Sequence, residues 1–189
     1  MGIFYNASAK ELLQMRNRIF LDRGVPALTK NRFVKSPFST SWFGKDDLGG
    51  YTYDFCRLTA NGHLETLAAY IVRGDNWIKL YLNIFELKPI PDSIDRLKGV
   101  DGLKFSLPPN SATKMRLRSD DIKGVPLFNY DFWFNRHKIN KYYSRGDLES
   151  KANQLGTLIE KDLQNINSFI RRWHEMHLMV ITSWKGAVL

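Results

Sequence analysis

The residues with the most chemistry in them are Glu86-Leu87-Lys88, which have the Glu-x-Lys form of a metal-dependent phosphodiesterase core. In such a core two carboxylates share a divalent cation and the lysine polarises the attacking water. The second carboxylate has to come from a neighbouring strand. With the pairing derived below, Glu65 stands opposite Glu86, and Asp54 lies on the same face one strand further away. A nuclease using Asp54, Glu65, Glu86 and Lys88 is therefore one reading of the chain. Asp75 sits at the other end of the same hairpin and cannot join. A three-residue pattern recurs by chance in chains of this size. The reading stands only if the carboxylate oxygens can reach one ion at about 2.0–2.6 Å, and the expectation is that they do not.

His174-Glu175-Met176-His177 falls one residue short of a zinc-protease helix, whose histidines stand at i and i+4. An i, i+3 pair needs a third ligand from elsewhere, and His63 and His137 have no acidic or cysteine neighbours at ligand spacing. The single cysteine, Cys56, lies in mid-strand among apolar residues, where a thiol packs rather than reacts. No glycine-rich phosphate loop and no Gly-x-Ser-x-Gly elbow occurs. Neither a cofactor nor a metal is expected.

Basic residues give the strongest binding signal. Lys114, Arg116 and Arg118 alternate along a strand, and Arg136, Lys138, Lys141 and Arg145 follow with Tyr142 and Tyr143 between them. Cations interleaved with aromatic rings suit phosphate contact plus base stacking. An acidic protein or a nucleic acid is the partner this implies. A small-molecule pocket lined by Trp42, Trp133 and the tyrosines is a third reading.

The elements that must position these groups begin with the stretch from Tyr51 to Lys88, three strand-like runs separated by Asn61-Gly62 and by Gly74-Asp75-Asn76. Asn-Gly favours a two-residue hairpin turn. That turn sets Leu58 opposite Glu65, Cys56 opposite Leu67 and Asp54 opposite Ala69. A tight second turn sets Ile71 opposite Leu80, Ala69 opposite Leu82 and Leu67 opposite Ile84. Cys56 then shares a core face with the leucines, and Tyr53, Tyr70 and Tyr81 form a row on the other face. A slip of one residue would exchange the faces of a whole strand.

Ser8 and Glu11 form a capping box ahead of a helix over Ala9–Asp22, with Gly24 as its left-handed stop and Lys10, Arg16, Arg18 and Arg23 as surface charges. Strands are expected at Ser39–Phe43, Leu103–Leu107, Thr113–Arg118 and Leu127–Phe134, with a short helical turn near Ile94–Leu97. Leu148, Ala152, Leu155, Ile159, Leu163, Ile166, Ile170 and Trp173 are the apolar stripe of a long closing helix with room for a break at Gly156. The final ITSWKGAVL can add an edge strand.

These elements make one α+β domain over residues 1–189, a mostly antiparallel sheet around a three-stranded meander with a helix at each end of the chain. A 43% hydrophobic composition marks a folded protein, and a net charge of +9 favours anionic partners. No apolar run approaches a membrane span, and the first residues resemble neither a secretion signal nor a myristoylation site. One lone thiol points to a cytoplasmic protein. The order of elements, from Arg23-Gly24 through the tyrosine-rich meander to Met115-Arg116-Leu117-Arg118, Phe132-Trp133-Phe134 and the terminal helix, resembles that of small uncharacterised bacterial proteins grouped under a domain of unknown function. That resemblance implies a bacterial cytoplasmic protein and transfers no catalytic residue.

Overall fold

The computed structural model describes residues 5–122 and 136–189. Its centre is the meander, with β3 (Tyr51–Leu58), β4 (His63–Ile71) and β5 (Lys79–Leu87) paired antiparallel. Two short strands, β1 (Val34–Lys35) and β2 (Phe43–Lys45), share the outer edge of β3. The far edge of β5 is divided. Its first half pairs antiparallel with β6 (Met115–Arg116), and its second half pairs parallel with β7 (Val180–Thr182). The α+β class and the mostly antiparallel sheet follow the sequence reading.

The first hairpin closes differently from the two-residue turn. Thr59 N–H donates to His63 O and Gly62 N–H donates to Thr59 O, so Ala60, Asn61 and Gly62 form a three-residue loop with Gly62 at φ 78°. One extra loop residue shifts β3 by one, so Leu58 faces Leu64, Cys56 faces Thr66 and Asp54 faces Ala68. Every β3 side chain thereby changes face. Tyr53, Phe55 and Arg57 join Leu67, Ala69, Leu80 and Leu82 on one side, while Asp54 and Cys56 move to the other. The second hairpin is displaced by two residues, with Ala69 opposite Leu80 and Leu67 opposite Leu82, so faces there are kept.

Helices cover the first of these faces. Helix α1 (Ala9–Ile19) starts at Ser8, whose Oγ accepts from Glu11 N–H, while the Glu11 carboxylate takes the Tyr5 hydroxyl. It does not stop at Gly24. A π-helical turn, Phe20–Gly24, carries it into α2 (Val25–Lys30), and Gly24 has helical φ −71°. Pro26 fits there because the first turn of a helix needs no donor from it. Arg16 is not a surface charge. It is fully buried, and its guanidinium donates to Trp77 O at 2.7 Å and Val72 O at 3.1 Å, holding the second hairpin loop.

The closing helix consists of α3 (Arg145–Gln164) and α4 (Ile166–Met176), which meet at Asn165 and not at Gly156. All eight residues of the apolar stripe are buried against the sheet face and α1. Each large aliphatic side chain so buried contributes about 1.5–3 kcal/mol. A second, smaller cluster of Phe38, Cys56, Leu64, Phe85, Leu87 and Leu97 covers one half of the opposite face. The segments over it are 3₁₀ turns at Ile94–Leu97 and Leu103–Ser106, so the strand expected at Leu103–Leu107 is absent. Asn110–Thr113 is likewise 3₁₀, which leaves only Met115–Arg116 of the strand expected at Thr113–Arg118. The strand expected at Ser39–Phe43 begins where that one was to end. The strand expected at Leu127–Phe134 lies outside the described residues.

Candidate anion-binding surface

On the face away from the long helices, Asp54, Ala68, Tyr81 and Arg116 stand side by side across β3, β4, β5 and β6. Lys114, one residue before β6, reaches over this row. Its Nζ lies 4.9 Å from the Tyr70 ring centre and 4.7 Å from that of Tyr81, and it donates to the Tyr70 hydroxyl at 3.2 Å. Burial, then Asp54 and Tyr81, push the Tyr70 hydroxyl up to about 12. Burial also pulls the Lys114 ammonium below its ordinary value, with Asp54 acting in the opposite sense.

Beside this corner, three cations gather on one indole. The Arg116 guanidinium lies 4.4 Å from the Trp77 ring centre, Lys138 Nζ lies 5.3 Å away, and the Arg136 guanidinium 5.7 Å. Lys138 is brought there by a β-bridge to Trp77, flanked by bonds from Ile78 N–H to His137 O and from Ile139 N–H to Asn76 O. Cations over an aromatic ring each gain about 0.5–1 kcal/mol at exposed sites. Burial, and then the positive charge of Arg116, push Arg136 below its ordinary value. Among the described residues no carboxylate lies within ion-pairing distance of Lys114, Arg116 or Lys138. A recess next to Trp77 adds Lys141 and, from α3, Lys151.

Of the seven basic residues chosen from the sequence, Lys114, Arg116, Arg136 and Lys138 come together, and Lys141 borders them. Arg118 does not. The chain turns left-handed at its φ of 61°, the period-two alternation ends, and its guanidinium runs inward to Asp162. Arg145 stands at the start of α3, exposed and paired with Glu149. Trp77 and Lys151 were missed. Neither carries a local signal of this role in the sequence.

The carboxylate set does not assemble. Glu65 is buried on the helix-covered face and bound to Arg57, whereas Asp54 lies on the opposite face of the sheet. Glu86 shares the face of Glu65 and pairs with Lys88 at 2.8 Å. Asp54 and Glu86 cannot share an ion through a sheet. Among the described residues no group of three or more His, Cys, Asp or Glu is placed to hold a metal ion. His174 and His177 both pack on Trp173. Trp42, proposed for a ligand pocket, is on the surface with its Nε1–H bonded to Lys45 O, and Trp133 lies outside the described residues.

Comparisons of the chain with protein-family models, with curated proteins and with solved structures give no match.

Proposed function

We propose that this chain is a non-enzymatic binding module that holds a nucleic-acid strand on the surface around Trp77. The observation that carries this reading is the gathering of Arg116, Arg136 and Lys138 on one indole, with Lys114 alongside and no carboxylate paired to Lys114, Arg116 or Lys138 among the described residues. Positive charge concentrated at one place draws an anion to it. Lys114 and Arg116 present their charges at neighbouring points of this surface, one over Tyr70 and Tyr81 and the other over Trp77. The net charge of +9 adds a field that draws such a partner in. No described helix is long and apolar enough to cross a membrane. With a single buried free thiol, Cys56, the reading places the protein in the cytoplasm.

The test is binding of a fluorescent single-stranded oligonucleotide over a salt series. Affinity should fall linearly with salt on logarithmic axes, with a slope of about 0.7 per phosphate neutralised. Replacing Arg116 and Lys138 together by Ser should weaken binding at least about tenfold and flatten the slope by about 1.4, two contacts' worth. A variant that binds with unchanged slope would overturn the reading. Retention of an acidic protein with no oligonucleotide binding would transfer the same surface to a protein partner.

A further inference from the structure

A small hollow lies on the same sheet face at Ala68. Ala68 stands between Asp54 and Tyr81 in the cross-strand row, and its methyl group leaves a hollow there. Two loops roof it. One is the stretch 36–41, where Ser36 N–H donates to Asp54 O and the hydroxyls of Ser36 and Ser41 bond to each other. The other begins at Gly102, where an added Cβ would come within 2.7 Å of the Phe38 ring. The loops are tied together by Ser39 N–H to Val100 O and Gly99 N–H to Pro37 O. The result is a cavity of about 90 Å³ that touches Asp54, Thr66, Ser36 and Ser41 on its polar side and Phe38 and Phe105 on its apolar side.

Asp54 is held rigidly. Its Oδ2 accepts from Trp42 N–H at 2.8 Å while its own N–H donates to Trp42 O at 2.9 Å. Its Oδ1 accepts no hydrogen bond among the described residues, and no described cation pairs with the carboxylate. Lys114 acts on it electrostatically, but spends its Nζ on Tyr70 and on the two tyrosine rings. A half-buried carboxylate with one of its two oxygens unpartnered among the described residues favours the arrival of a cation or a proton. Burial indeed pushes the Asp54 carboxyl above its ordinary value.

We propose that this cavity binds a small primary ammonium compound, with Asp54 as its counter-ion. The N–H donors would meet Asp54 Oδ1 and the serine and threonine hydroxyls, and the short alkyl part would lie against Phe38 and Phe105. Such a mixture of one carboxylate, hydroxyls and aromatic walls suits an organic cation. A metal ion would need several oxygen or nitrogen ligands converging at about 2.0–2.6 Å, and no group of three or more His, Cys, Asp or Glu among the described residues could hold one. At interior packing density, roughly 20 Å³ per non-hydrogen atom, the cavity takes about four such atoms. The site adjoins the basic surface through Lys114, whose charge acts on Asp54, but shares none of its lining with Trp77.

The probe is ethylammonium chloride, titrated into the whole chain at constant ionic strength and followed through the backbone amide signals of Thr66 and Ala68. A ligand this small binds no tighter than about 1 mM, given the ceiling on affinity per atom. Saturation in the millimolar range is expected for ethylammonium. None is expected for sodium, or for tetramethylammonium, which has no N–H to donate. Asp54→Asn keeps the Trp42 bond and should weaken binding at least tenfold. Ala68→Leu should fill the hollow and abolish binding with an unchanged circular dichroism spectrum. The proposal is overturned by non-saturating shifts, by equal saturation with sodium, or by an Asp54→Asn protein that binds as the parent does. If both variants fail to fold, the comparison of ethylammonium with tetramethylammonium on the unaltered chain decides.

Discussion

Arg118 and Asp162 meet in a two-bond ion pair inside the protein, Nη2 to Oδ1 at 2.6 Å and Nε to Oδ2 at 2.7 Å. The second carboxylate oxygen also takes His137 Nε2 at 2.7 Å. One carboxylate on α3 therefore holds the chain on both sides of the segment 123–135. Arg136 and Lys138, the immediate neighbours of His137, are thereby held beside Trp77.

Removing that carboxylate takes both bonds from the Arg118 guanidinium and the Nε2 partner from buried His137. Asp162→Ala should cost about 3–5 kcal/mol, as for other buried pairs broken on one side. Denaturant unfolding measures it. Replacing Arg118 and Asp162 together by Met and Leu should lose clearly less than the sum of the single losses. Additive losses would mean that the two residues act separately.

Two aspartates should respond to pH with opposite signs. Burial raises the Asp162 carboxyl, but the Arg118 and His137 bonds outweigh it and hold the group below its ordinary 3.8. Its contribution is thus complete above the unfolded value and disappears as pH falls through the folded one. For Asp54, burial outweighs the Trp42 bond and raises the carboxyl above 3.8. Stability from this group is therefore greatest in acid and is lost as pH rises from 3.8 through the folded value. Relative to the parent, Asp54→Asn should gain Tm between pH 3 and pH 7, and Asp162→Asn should lose Tm over the same interval. Thermal unfolding at both pH values decides, and parallel profiles would contradict the assignment.

Arg16→Met should destabilise the fold although both side chains are long. The guanidinium satisfies the carbonyls of Trp77 and Val72 and, within its own helix, Leu12. Leaving the two loop acceptors unpaired should cost about 2–6 kcal/mol, from about 1–3 for each buried unsatisfied group. Amide exchange in the stretch 72–78 should quicken more than in β4, because the loop loses its anchor.

Gly62→Ala tests the hairpin. The left-handed conformation at φ 78° disfavours any Cβ by about 1–2 kcal/mol, and the added methyl would come within 2.7 Å of Ile90. A loss of at least that size is expected in denaturant unfolding. No loss would mean that the three-residue loop is wrong.

The sequence by itself determined the elements whose signals are local or periodic. Ser8 capped a helix because its hydroxyl lies beside the donor it satisfies. The stripe from Leu148 to Trp173 was legible because a 3.6-residue period survives whatever it packs against. The three strands of the meander were legible from their apolar alternation and from the glycines between them. The tertiary structure alone decided which way each strand faces. One extra residue in the Asn61-Gly62 loop turned Tyr53 into the core and Asp54 out of it, and no residue of the strand records that choice. It also decided the fate of individual charges. Arg16 and Arg118 look like Lys10 and Arg116 in the sequence, yet Arg16 is buried on carbonyls and Arg118 is tied inward to a carboxylate. Arg116 ends on Trp77, which lies far from it along the chain. Burial and pairing of a charge depend on what arrives from distant segments, so the basic surface around Trp77 and the hollow at Ala68 exist only once the sheet is assembled.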